Sequence, residues 1–276
     1  MGEVRRWPWK AVRVQDARVA RGLVRPSQDA FGQEILAAHR GEEVVEILER
    51  DDGFVAASHG PIDYLAPYRA WPSHQRKAIR LAHGRVLDLG AGAGRVALHL
   101  QGRGLEVVAV DNSPLAVRIC RLRGVKDVRL AAIAEVSARM GAFDTVVLFG
   151  NNFGLLGSPA RARRLLRRFH RLTASDATIL AEGGDFGRTR EPAHLAYQAR
   201  NRRRGRMPGQ IRLRVRYGRT TGPWIDFLLA SPREMKALLR DTGWRVRRFL
   251  LAPSGPGYVA VLVKEGPRRA AAARGR

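Results

Sequence analysis

Short apolar runs alternate with segments of helical period from about residue 84 to about residue 265. Val86–Leu89, Leu105–Val110, Val125–Leu130, Phe143–Phe149 and Ala177–Glu182 read as strands, and the fourth is apolar enough to lie centrally in a parallel sheet. Helices are predicted between them. One starts at Arg95. A second opens at Ser113-Pro114 and runs to about Arg123 with Leu115, Ile119 and Leu122 inward. A third opens at Ser158-Pro159 with Leu165, Leu166, Phe169 and Leu172 on one face. Further on, residues 211–218 alternate apolar residues with arginine and 224–229 return, which predicts an antiparallel insert. A capping box at Ser231 and Glu234 opens a helix that Gly243 stops, and two further strands follow. Upstream, Ser27 is expected to cap a helix from Gln28 to about Arg40 carrying Phe31, Ile35 and Leu36 on one face. Asp52-Gly53 marks a hairpin, and Ser73 is expected to cap a helix leading into Arg85. The order of elements predicts an α/β protein with a doubly wound sheet.

The chain has 276 residues, enough to bury a sizeable core, and no run approaches the roughly 18 apolar residues of a membrane span. Its N-terminus lacks an apolar segment after its first charges and so does not read as a secretory signal. A single cysteine, Cys120, rules out an internal disulfide and a cysteine-cluster metal site; no metal is expected, and a reducing cytoplasm is the expected compartment. The net charge of +25 would attract RNA and other polyanions, but lysine occurs at only five positions. So arginine-rich a chain fits compositional bias as well as a nucleic-acid partner. The acids at Glu42, Glu43, Glu46, Glu49, Asp51 and Asp52 form a rare negative patch, expected to be a solvated face.

The chemistry concentrates at the first core strand. Asp88 precedes three glycines at alternate positions, Gly90, Gly92 and Gly94, and a helix follows. Such a loop brings backbone N–H groups and a helix N-terminus to a nucleotide-like ligand. A carboxylate just before the glycines would repel a pyrophosphate and attract a cation, which disfavours a nicotinamide oxidoreductase. S-Adenosylmethionine has no phosphate and carries a sulfonium and an α-ammonium group, so it suits the pattern. The acid Asp111 ends the second strand, where a residue roughly 20 positions beyond the loop accepts hydrogen bonds from ribose hydroxyls.

The spacing Asp-x-Gly-x-Gly-x-Gly resembles the first motif of the class I S-adenosylmethionine-dependent methyltransferases. The resemblance covers residues 81–266 and implies a Rossmann-like, mostly parallel seven-stranded sheet. It also implies a 1–80 N-terminal arm and helical or hairpin cap over the cofactor site, and a substrate-shaping insert at 188–230; a disordered basic tail is expected at 267–276. By the same resemblance Asp88, Gly90, Ala91, Gly92 and Gly94 cradle the cofactor, with Asp111 and Asn112 on the ribose. Arg69 would pair with the methionine carboxylate, and Tyr64 or Tyr68 would cover the sulfonium. The family's acid after the third strand is missing, which leaves adenine to backbone near Ile133 or to Glu135.

The loop after the fourth strand, Gly150-Asn151-Asn152-Phe153-Gly154, is expected to face the transferable methyl. It lacks the prolines of base-amino methyltransferases and looks closer to the Gly-Asn-Ser loop of small-amine methyltransferases. Asn151 would orient the nucleophile, and His194 or Tyr197 would serve if a general base is needed. Arg212, Arg214 and Asp226 are further candidates for substrate contact. The leading reading is methyl transfer to a small-molecule acceptor, with no membrane partner. RNA methylation by way of the arginine surface and a non-catalytic nucleotide- or RNA-binding module are the alternatives. Cys120, within a helix, is misplaced for a thiol route to a pyrimidine carbon.

Overall fold

A computed structural model describes residues 22–58 and 60–265, so the expected basic tail at 267–276 and the first 21 residues of the expected N-terminal arm lie outside the described residues. In chain order the elements are α1 (Ala30–His39), β1 (Glu46–Arg50), β2 (Val55–Ser58), α2 (Gly60–Leu65), α3 (Ser73–Ile79), β3 (Val86–Leu89) and α4 (Arg95–Gly102). They continue with β4 (Val107–Asp111), α5 (Pro114–Leu122), β5 (Asp127–Leu130), β6 (Phe143–Leu148), α6 (Pro159–Arg171), β7 (Thr173–Gly184) and α7 (Pro192–Arg203). The last are β8 (Gln210–Tyr217), β9 (Thr220–Thr221), β10 (Ile225–Leu228), α8 (Pro232–Leu238), β11 (Trp244–Leu251) and β12 (Gly257–Lys264).

The main sheet has seven strands in the order β11-β12-β7-β6-β3-β4-β5. The five strands from β7 to β5 run parallel, and β12 and β11 close the other edge antiparallel. Apolar residues on both faces of the central strands explain why helices cover the sheet on both sides. Leu87, Leu89, Val146 and Leu148 look toward α6 and α8, whereas Val86, Ala109 and Val147 belong to the cluster under α4 and α5. Trp244 is fully buried and its indole N–H donates to the Leu166 carbonyl at 3.0 Å, which locks β11 onto α6. The strand order reverses between β6 and β3, the crevice where open α/β sheets bind their ligands.

A second, antiparallel sheet lies across that crevice's cap. Its order is β10-β8-β1-β2 with β9 on β8, so the N-terminal hairpin and the late insert form one sheet. Leu48 pairs with Val215 and Glu49 with Arg214. This joint changes the expected solvated acidic face in part: Glu42, Glu43, Asp51 and Asp52 stay exposed, whereas the others are drawn into the joint. Glu46 is buried, Glu49 pairs with Arg214 at 2.7 Å, Asp51 pairs with Arg200 at 3.2 Å, and Asp52 pairs with Arg50 at 2.7 Å.

Two local expectations also change. Asp29, not Ser27, caps α1: it accepts from Gly32 N–H at 3.0 Å while also accepting from Ser113 Oγ at 2.8 Å and Leu115 N–H at 3.0 Å. A carboxylate serves two helix starts where a hydroxyl could serve one. In α5, Leu122 is 61% exposed and the inward set is Ala116, Val117, Ile119 and Cys120. Contact with α1 on one side and the sheet on the other turns the helix away from the expected face.

Candidate functional site

The glycine loop leaves the carboxyl end of β3 and turns into α4 with positive φ at all three alternate glycines. Above Gly92 there is room: a Cβ there would come no nearer than 3.7 Å to Phe31 and 3.9 Å to Ile35. These two residues stand on one face of α1 and roof the loop, with Tyr64 edge-on to Phe31 at 5.3 Å. Beneath the loop, Asp88 is 2% exposed and its Oδ2 has no hydrogen-bond partner. Burial pushes its carboxyl up to about 7, against the pull of the Arg95 guanidinium and the Ala97 N–H and with Asp111 adding to the rise. A buried acceptor without a donor beside an open backbone cradle is what a cationic ligand end would satisfy.

Asp111, at the end of β4, accepts from Gly92 N–H at 2.8 Å and Ser113 N–H at 2.9 Å. Burial nonetheless raises it to about 6, the two N–H bonds holding it back. It thus joins the second strand to the loop and stands where the ribose was expected. Asn112 is turned outward, its amide donating to the Gly22 carbonyl at 3.0 Å. Ile133 packs partly buried against the core, and the Glu135 carboxylate accepts from Ala132 N–H at 2.9 Å.

The expected lid residues separate. Tyr64 belongs to the roof and donates to Glu46 Oε1 at 3.1 Å. Tyr68 stacks on His99 of α4 at 4.1 Å, behind the loop, and docks the lid there. Arg69 is exposed on the short turn Tyr68–Ala70, and the cation inside is Arg95. Burial lowers Arg95 from its ordinary range while Glu182, Asp63 and Asp88 favour its charge, and its guanidinium lies 4.8 Å from the Trp71 ring centroid. Sequence reasoning missed this residue, although its place directly after the third glycine was a signal that could have found it.

The loop after β6 is fastened on both sides. Glu182, at the end of β7, is buried and accepts from Gly150 N–H at 2.5 Å, from Gln75 at 2.8 Å and from His74 Nε2 at 3.2 Å. These donors hold its carboxyl below the usual range despite burial. Asn152 donates to the carbonyls of Leu89 and Gly90 at 2.9 and 2.8 Å. Asn151 takes a left-handed conformation, φ 61°, beside it. Asn152, rather than Asn151, therefore ties this loop to the glycine turn. Asn152→Ala is expected to lower S-adenosylhomocysteine affinity about tenfold, because two strand-end carbonyls lose their donor and the turn loosens; titration calorimetry measures this.

The expected bases Tyr197 and His194 are both held by cap residues. Tyr197 is buried, donates to Asp51 at 2.6 Å, and stacks under the Arg50 guanidinium; burial and Asp51 push it up to about 12, unsuited to taking a proton near neutrality. His194 lies between Phe54 and Phe186, with Thr189 Oγ1 3.1 Å from its Nδ1. Arg212, Arg214 and Asp226 project from the outer face of the cap sheet, where Arg214 covers Trp224 at 4.4 Å. Cys120 lies under the loop, donates to the Gly92 carbonyl at 3.1 Å, and burial pushes its thiol up.

Residues 86–176 match the family model for a methyltransferase domain. A solved S-adenosylmethionine-dependent methyltransferase of Bacteroides fragilis, in complex with S-adenosyl-L-homocysteine, is 25% identical with a TM-score of 0.75, covering 88% of this chain and 98% of that one. The CcbJ methyltransferase of Streptomyces caelestis shares the fold at 16% identity, TM-score 0.55, covering 74% of this chain and 98% of that one. In sequence, a ubiquinone biosynthesis O-methyltransferase of Xanthomonas euvesicatoria is 32% identical over 92 residues, covering 31% of this chain and 38% of that protein. The chain thus spans well under two thirds of that relative. The domain match falls on β3 through the start of β7, the segment that builds the cradle, so residues 86–176 are similar to the methyltransferase domains of that family model.

Proposed function

We propose that the protein transfers a methyl group from S-adenosylmethionine to a small-molecule acceptor, in the cytoplasm. The observation that carries this reading is the orphaned Asp88 Oδ2 beneath the open Gly92 cradle. When bound, S-adenosylmethionine supplies a methyl group already activated on a sulfonium. Asp88 would hold its cationic end, Asp111 its ribose hydroxyls, and the Phe31–Tyr64 roof would exclude water. Arg95 would face its carboxylate in place of Arg69. Since the leaving group is activated, the residues need mainly to align the acceptor in line and keep the site dry. The names of the ubiquinone biosynthesis relatives favour a small acceptor. The cap's arginines favour it too, because Arg50, Arg200, Arg214 and Arg216 are already paired with acids.

Calorimetric titration with S-adenosylmethionine and S-adenosylhomocysteine, with NAD as control, tests the cofactor. Both adenosyl ligands are expected to bind with Kd of about 1–100 μM and NAD not to bind. Failure of both adenosyl ligands would refute the reading.

A further inference from the structure

The cap holds a second pair of acids outside the cradle. Glu34 is 0% exposed, and among the described residues no donor reaches either of its carboxyl oxygens. Glu46, 4% exposed, faces it and accepts from the Ser58 hydroxyl and from Tyr64 at 3.1 Å. Neither carboxyl has an ion-pair partner among the described residues. Burial first, then the charge of Glu46 and the side-chain hydrogen bond the two acids share, push Glu34 up to about 10, and Glu46, Glu34 and Asp63 all add to the rise of Tyr64. In a chain of net charge +25, two carboxyls without a cation are an arrangement that wants one.

Their placement says where that cation comes from. Glu34 shares its helical face with Phe31 and Ile35, the residues above Gly92. The strand register puts Glu46, Leu48, Leu213, Ile225 and Phe227 on one face of the cap sheet. Leu48, Leu213, Ile225 and Phe227 are partly exposed, and the Phe227 ring packs directly on Gly154 of the loop that follows β6. An apolar strip therefore runs from the loop at the end of β6 to the acid pair.

We infer that the acceptor carries an ammonium group and an apolar body, the ammonium held between Glu34 and Glu46 as a recognition group distinct from the atom that is methylated, and the body lying along the Leu48–Phe227 strip. The inference rests on the methyl-transfer reading. An ammonium has three donors, enough to serve both carboxyls, and its charge lets Glu34 ionise. A hydroxyl or carboxylate in place of the ammonium would leave the pair short of donors or repelled.

The test uses the full chain saturated with S-adenosylhomocysteine and three matched probe pairs: benzylammonium against benzyl alcohol, cyclohexylmethylammonium against its alcohol, and hexylammonium against hexanol. Calorimetry at pH 8 in phosphate and in Tris counts the protons exchanged. At least one ammonium probe is expected to bind about tenfold or more tighter than its alcohol. It should release about one proton, since Glu34 goes from neutral to ionised while the ammonium keeps its charge. Glu46→Gln is expected to erase the preference. Glu34→Gln, which mimics the neutral acid, is expected to fold and to abolish the proton release. Absence of any ammonium preference across the three pairs would overturn the inference without recourse to a variant, as would a preference that Glu46→Gln leaves intact. If S-adenosylhomocysteine itself fails to bind, it is the methyl-transfer reading that falls.

Discussion

Asp88→Asn is expected to weaken S-adenosylhomocysteine binding by about 100-fold or more, since a ligand cation loses its buried counter-charge. The same change is expected to leave the free protein as stable at pH 8, or more so. Asp88 stands at about 7 in the folded chain against an ordinary value of 3.8, so folding favours the protonated acid. A raised folded value means that the stabilising contribution is complete below the unfolded value and is lost as pH rises from there through about 7. Asparagine carries no such loss. In wild type the ligand needs the ionised carboxylate, so affinity is expected to fall as pH drops below about 7, approaching tenfold per unit, while the Asp88→Asn variant stays flat over that range. Titration calorimetry from pH 5.5 to 8.5 and thermal melts of the free proteins measure both. A variant that melts lower yet binds normally would make Asp88 a structural residue and move the cation site elsewhere.

This opposition between stability and binding bears on what a sequence can disclose. Asp88, the three glycines and Asp111 were legible because each sits at a fixed offset from a strand end, and local geometry alone dictates such offsets. The seven-stranded order follows from the same local logic once the family resemblance is admitted. Pairing at long range is another matter. Nothing within the hairpin about Asp52-Gly53 announces that Glu49 meets Arg214, or that one sheet is shared by segments more than a hundred residues apart. That joint buries Glu46 and occupies acids that looked solvated. Tyr197 reads as a pocket phenol until Asp51, across the same joint, accepts its hydroxyl hydrogen bond. Glu34 stands in a helix beside Gln33, where an acid passes for a surface residue. Its burial shows only when α1 is laid against β8 and α2. The local chemistry is written in the motif, whereas the cap's chemistry arises where distant segments meet.

The glycine loop offers the sharpest division between fold and function, because its members differ in what lies above them. At Gly94, the left-handed start of α4 with φ 77°, a Cβ would come within 2.7 Å of Val125 Cγ2 and 3.0 Å of the Cys120 sulfur. Both neighbours are buried and have no room to retreat. Gly94→Ala is therefore expected to cost about 2–5 kcal/mol of stability, combining left-handed backbone strain with overpacking. At Gly92, φ 54°, the nearest atoms to a Cβ are 3.7 and 3.9 Å away, so Ala is expected to cost only about 1–2 kcal/mol, from the backbone alone. Its methyl would nevertheless stand in the cradle under Phe31, and S-adenosylhomocysteine affinity is expected to drop by about 30-fold or more as the ligand is lifted off the loop. Urea unfolding with calorimetric titration of the two variants separates the effects. Gly94→Ala should be the less stable and, under conditions where it remains folded, the tighter binder; Gly92→Ala should be the more stable and the weaker one. The reverse ranking would mean that the ligand does not lie over Gly92. The space beneath Phe31 and Ile35 would then be a packing gap, and the reading of the Asp88 carboxyl as a cation site would lose the cradle that gives it meaning.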